Sequence, residues 1–142
     1  MQKVLFFNAD SKASFLTNRK KLKAFIPSIA FFYKKKLISL TYIFCTDDYL
    51  LQINKHFLQH DFYTDIITFN MGNNNSCIEG EIYISIDRIK DNTLKHNTTL
   101  KAEIHRVIFH GILHLCGVKD KTQKDIKEMR AAEDKFLKRY FK

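Results

Sequence analysis

Proline and glycine are scarce in this sequence, one and four among 142 residues. So few turn formers imply loops that are short or polar. No Pro- or Gly-rich stretch marks a linker, and the one low-complexity run is Asn73-Asn74-Asn75. Long apolar runs are missing too. Ala30-Phe31-Phe32-Tyr33 falls far short of the roughly 20 residues that a membrane-spanning helix needs. Met1 to Phe7 is followed at once by Asn8 and Asp10, too soon for a signal peptide. Cysteine is limited to three residues without paired spacing, which fits a reduced, cytoplasmic compartment. Acidic residues are also in short supply, fifteen against twenty-four Lys and Arg.

Aromatic residues, at 13%, are far too many for a solvated, disordered chain. The length suits one domain with a core of its own, covering residues 1–142. The +9 charge is uneven. Residues 1–40 carry nine basic groups and one acidic, 41–100 four and eight, and 101–142 eleven and six. Nineteen of the cations are Lys, suited to attracting phosphate rather than reading bases. Nucleic acid is therefore the leading partner class, with ordinary solubility as the competing reading.

Periodicity gives a coarse secondary structure. Lys3–Phe7 reads as a strand. Leu22, Phe25, Ile26, Ile29 and Tyr33 recur at helical spacing from about Arg19 to Tyr33, with Asn18 as cap and Pro27 expected to kink or end the helix. Leu37–Cys45 reads as a strand, and Thr46-Asp47-Asp48 as the start of a helix to about Phe57. Asp65–Asn70 and Glu81–Ile86 read as a hairpin across a turn-like 71–80 segment. A short helix is expected over Asp87–Lys95. A longer one runs from Thr98 or Thr99 to Cys116, closed by a left-handed Gly117. Thr122 to Asp125 has the form of a capping box, and Ile126, Met129, Phe136, Leu137 and Tyr140 form the buried stripe of the last helix. The sum is a small α+β domain of about four strands and five helices.

The segment His110-Gly111-Ile112-Leu113-His114-Leu115-Cys116-Gly117-Val118-Lys119-Asp120 carries the chemistry. Histidines at i and i+4 lie about 40° apart on a helix, close enough to reach one metal ion. Past Gly117 the chain can turn back and bring Asp120 to the same ion. Three ligands leave one position open, as in catalytic rather than structural sites. The spacing resembles that of metzincin proteases, but Gly111 stands where their Glu base belongs, so peptide hydrolysis is disfavoured. Phosphodiester cleavage suits the set better.

His-Gly-x-Leu-His-Leu-x-Gly, at His110 to Gly117, resembles the signature of the YbeY family. Thr64 to Phe69, Gly80 to Ser85, Ile53 to Phe57, and Met129 with Glu133 resemble further family elements in the right order. The resemblance implies a mixed sheet covered by helices and a metal-dependent endoribonuclease acting on single-stranded RNA. It also implies a role in ribosomal RNA maturation and ribosome quality control, with ribosome-associated proteins as partners. Metal ligation, by zinc, would fall to His110, His114 and Asp120. Asp120 replaces the family's usual His, and a common family Arg maps to Leu58. Arg106, one turn before His110, is the candidate to contact phosphate in its place, or else a partner for Glu103. Arg19, Lys20, Lys21 and Lys23 are candidates to attract substrate phosphate. No membrane and no DNA sequence readout are expected. His56 and His60 read as surface residues, His96 and His105 have no usable spacing, Asp65 reads as a base or a cap, and Cys116 reads as packing. A metalloprotease and a non-catalytic RNA- or ribosome-binding module with a structural metal are the alternatives.

Overall fold

The computed structural model describes residues 3–59 and 64–142, so His60 lies outside the described residues. The elements are β1 (Lys3–Asn8), α1 (Arg19–Phe32), β2 (Lys36–Cys45), α2 (Asp47–Leu58), β3 (Ile66–Asn70), β4 (Cys77–Ser85), α3 (Ile86–Lys95), α4 (Leu100–Leu115) and α5 (Gln123–Tyr140). The sheet order is β1-β2-β4-β3. β1 and β2 pair in parallel, as do β2 and β4, while β3 runs antiparallel to β4. The result is a small α+β domain with a mixed sheet, as the sequence implies.

The helix starts follow from capping chemistry. Thr46, Ser85, Thr99 and Thr122 each accept a backbone N–H of the first turn, and Thr122 with Asp125 completes the capping box. Three details differ from the sequence reading. Asn18 occupies the cap position of α1 with φ 54° but makes no side-chain cap bond. Pro27 neither ends nor breaks α1. A mid-helix proline costs about 3 kcal/mol. Leu22, Ile26, Ile29 and Ala30 are fully buried around it, and a buried aliphatic side chain contributes about 1.5–3 kcal/mol each. β4 begins at Cys77, well before Glu81, because Ile78, Gly80 and Ile82 all face inward in one continuous alternation. Gly80 looks like a turn residue but is a packing residue.

α4 is the central helix. Ile104, Val107, Ile108, Phe109, Ile112 and Leu113 are buried, and the buried Tyr42 hydroxyl donates to the Ile108 carbonyl at 2.9 Å, tying β2 to α4. A Cβ on Gly111 would stand 2.7 Å from Ile82 Cδ1 and 3.2 Å from Ile66 Cδ1. Glycine at 111 is therefore what lets α4 close on the sheet. On the other side Phe109 packs against Phe25 of α1 and Tyr140 of α5. Held on both sides, α4 turns Arg106, His110 and His114 outward as one stripe.

Candidate active site

That stripe forms one wall of a cleft of about 510 Å³, with β3, α3, α5 and the loop after α4 supplying the rest. The loop geometry follows from Gly117. Its φ is 98°, its N–H donates to the His114 carbonyl, and the Val118 N–H donates to the Leu113 carbonyl. This is the Schellman closure of a helix end. It reverses the chain and brings Asp120 back over the last turn. Asp120 Oδ2 then lies 3.4 Å from His110 Nε2, and Asp120 Oδ1 lies 3.9 Å from His114 Nε2.

The other ring nitrogen of His110 is committed elsewhere. Nδ1 donates to Glu133 Oε2 at 2.7 Å. Glu133 is a carboxylate at 4% exposure on the inner face of α5. Its Oε1 accepts from Arg106 at 2.8 Å and from Arg130 at 3.2 Å, and Arg106 also donates to Asp134 at 2.7 Å. Burial acts against charge on His110. The Glu133 hydrogen bond and the charges of Glu133, Asp120 and Asp65 outweigh it, and the His110 pKa is raised. Burial likewise pushes the Glu133 carboxyl up, but its bonds to His110 and Arg106 prevail and its pKa is lowered. Asp65, half-buried on the same cleft, goes the other way: burial raises its pKa against the pull of His110.

Among the described residues, no three His, Cys, Asp or Glu side chains form a group arranged to hold a metal ion. The donor set nonetheless has the chemistry of one. Both Nε2 atoms turn toward one carboxylate, and a buried carboxylate holds the Nδ1 of His110, the outer-shell arrangement that orients metal-ligating histidines. The negative cluster that raises the His110 pKa would equally favour a bound cation.

The other residues singled out in the sequence sort clearly. Arg106 reaches the cleft, but its guanidinium is bound to Glu133 and Asp134 rather than paired with Glu103. Arg19, Lys20, Lys21 and Lys23 do not line the cleft. Arg19 donates to the Leu16 and Ala13 carbonyls, Lys21 to the Tyr140 carbonyl, and Lys23 lies over Phe6. Leu58 ends α2, 39% exposed and away from the cleft wall. His56 packs edge-on against Phe57, and His96 borders the cleft. His105 is buried among Phe109, Tyr140 and Phe141. The buried Cys116 thiol is pushed up to about 12, which disfavours a thiolate ligand. Ile126, expected in the buried stripe, is 46% exposed and lies on the cleft wall. Gly111, packed on Ile82, leaves no room for the protease base. Glu133 is the important residue that sequence reasoning left without a role. The available signal was an acidic residue on the apolar face of α5, between Met129 and Phe136.

Fold and site together define a small α+β domain built around a histidine–carboxylate cluster on a buried helix. Comparison with known proteins narrows the class. The chain belongs to the Endoribonuclease YbeY family, whose profile matches residues 7–141. It is 48% identical over 134 residues to the Endoribonuclease YbeY of Cytophaga hutchinsonii, covering 94% of this chain and 93% of that one. It is 45% identical over 136 residues to the Azobacteroides pseudotrichonymphae protein of the same name, covering 96% of each. A solution structure of a Thermotoga maritima protein superimposes with a TM-score of 0.69 at 26% identity, covering 96% of this chain and 89% of that one.

Proposed function

We propose that this protein is a metal-dependent endoribonuclease that cuts single-stranded RNA in the cytoplasm. Ribosomal RNA precursor is its substrate, and its work is ribosomal RNA maturation and ribosome quality control beside ribosome-associated proteins. The observation that carries the reading is the convergence of His110 Nε2 and His114 Nε2 on the Asp120 carboxylate. His110, His114 and Asp120 would hold one divalent ion, zinc by its preference for imidazole and carboxylate. When bound, the ion supplies Lewis acidity toward the phosphodiester.

The rest of the chemistry belongs to the chain. Glu133 accepts from His110 Nδ1 and sets the ring's orientation and tautomer. Arg106 and Arg130 offset the charge of Glu133, so a buried carboxylate is tolerated there. Asp65 enters the cleft with a raised pKa and is the group best placed to hold or release a proton beside substrate. Arg106, already bonded to two carboxylates, is assigned to positioning Glu133 first and to phosphate second.

The test is cleavage of a ribosomal RNA precursor with the bound metal quantified. Wild type should cleave and carry about one ion per chain, while His114→Ala should lose both and keep its fold. Full-rate cleavage by metal-free His114→Ala protein would overturn the reading. RNA binding without any cleavage by wild type would favour a binding module instead.

A further inference from the structure

A second concave surface lies at the far end of α5. It is a groove between the end of α1, the start of β2 and the end of α5, and it includes Phe31, Phe32, Lys34, Lys35, Lys36 and Arg139. No carboxylate lines it. Among the described residues, none of these four cations takes part in an ion pair. Phe31 is 81% exposed, an unusual position for a large aromatic ring. Phe32 is edge-on to Phe136 and is flanked by Lys135 and Arg139 at 3.8 and 5.4 Å from its centroid. Lys34 has φ 59°, a left-handed conformation at a helix end where glycine is the usual residue. Lysine bears that conformational cost and places a cation at the rim of the groove.

The active-site cleft has the opposite character. Its guanidiniums, Arg106 and Arg130, are bound to carboxylates, and Asp65, Glu103, Asp120 and Glu133 all line it. Such a cleft does not by itself draw in a polyanion. We infer that the Phe31–Lys36 groove is a binding platform for single-stranded RNA. In it Lys34, Lys36 and Arg139 contact phosphates and Phe31 stacks on a base. The proposal rests on the RNA-cleaving reading above and adds where the strand is held. α5 joins the two surfaces: its first half walls the cleft and its last turns wall the groove, about 14 Å apart from Arg130 to Arg139 along the helix axis. Exposed aromatics among cations that are mostly lysine match sequence-tolerant single-strand recognition.

Fluorescence anisotropy with a labelled single-stranded RNA of about 16 nucleotides tests the proposal. Phe31→Ala should weaken binding roughly tenfold, the scale of one lost base stack. Lys34→Gln with Lys36→Gln should reduce the slope of log affinity against log salt by about 1.4, two contacts at about 0.7 each. Lys34→Gly should bind more weakly while its melting temperature holds or rises, because glycine relieves the left-handed backbone. Cys77 also lines the groove, and the other two cysteines are buried. Bound RNA should therefore slow its modification by a maleimide. Unchanged affinity and salt slope in these variants would overturn the proposal. So would protection of Cys77 by an acidic peptide and not by RNA. These readouts do not depend on cleavage. RNA binding through the groove with no cleavage would sink the nuclease reading alone, and cleavage with binding untouched by Phe31→Ala would sink this one alone.

Discussion

The cleft and the groove are built from one helix, α5, and differ in how their charges are used. In the cleft the charges satisfy one another: Glu133 binds His110, Arg106 and Arg130, and Asp120 faces both histidines. In the groove Lys34, Lys36 and Arg139 are exposed around exposed phenylalanine rings, with no carboxylate lining it. Paired, half-buried charge fixes the geometry of a few atoms and is expensive to disturb. Unpaired surface charge fixes nothing, but it remains available to a partner and is screened by salt. On the reading proposed above, the two regions divide the labour, chemistry in one and capture in the other.

The sharpest way to separate them is to remove a cleft imidazole. His114→Ala should lower RNA cleavage about a thousandfold or more. Stability should change little, because the His114 side chain is 48% exposed. RNA affinity by anisotropy should stay within about twofold; a large loss would mean that the cleft also captures the strand. Next in size is Glu133→Ala. Removing the buried carboxylate strands His110, Arg106 and Arg130 and should cost about 3–5 kcal/mol in urea unfolding. Glu133→Gln should cost less and still lower cleavage about 10- to 100-fold, the usual effect of an outer-shell partner. An undiminished rate in Glu133→Gln would show that the ring needs no such support.

Phe31→Ala comes third, with its roughly tenfold loss of RNA affinity and a stability change within about 0.5 kcal/mol, since the ring is exposed. The smallest effect belongs to neither region. His105 is buried, and burial with the nearby Lys101 and Lys21 charges depresses its pKa despite its bond to the Lys101 carbonyl. Its folded pKa lies below the unfolded value of about 6.5, so the unfolded state binds the proton more readily. The stability this contributes is complete above pH 6.5 and declines as pH falls from there toward the folded pKa. His105→Gln should flatten that part of the stability–pH curve without affecting cleavage at neutral pH. A curve of unchanged shape would count against burial as the cause.

Much of the molecule was legible in one dimension. Thr46, Thr99, Thr122 and Asp125 announce helix starts because capping is local chemistry between residues three apart. Gly117 announces the turn that returns Asp120 to the histidines, because only a left-handed residue closes that helix end. Pro27 and Gly80 misled for the same reason: each is a local breaker that burial overrides, through Ile26 and Ile29 in one case and the inward alternation of β4 in the other. The basic start of α1 lies apart from the cleft. Its charges are dense in the sequence, but Arg19 and Lys21 are spent on backbone carbonyls away from the cleft.

By itself, the sequence determined the order of the elements, the Thr46, Thr99 and Thr122 caps, the His110–His114–Asp120 spacing and the family. Each depends on residues within a turn or two of one another, or on a motif in fixed order. Only the tertiary structure decided that Glu133 holds His110, that the cleft spends its arginines on carboxylates, and that Phe31 and the Lys34–Lys36 run share a groove with Arg139. Glu133 with His110 and Arg106, and the Phe31–Lys36 segment with Arg139, are pairings of residues 23 or more positions apart. Where such residues meet is set by the packing of α1, α4 and α5, which local propensity does not encode.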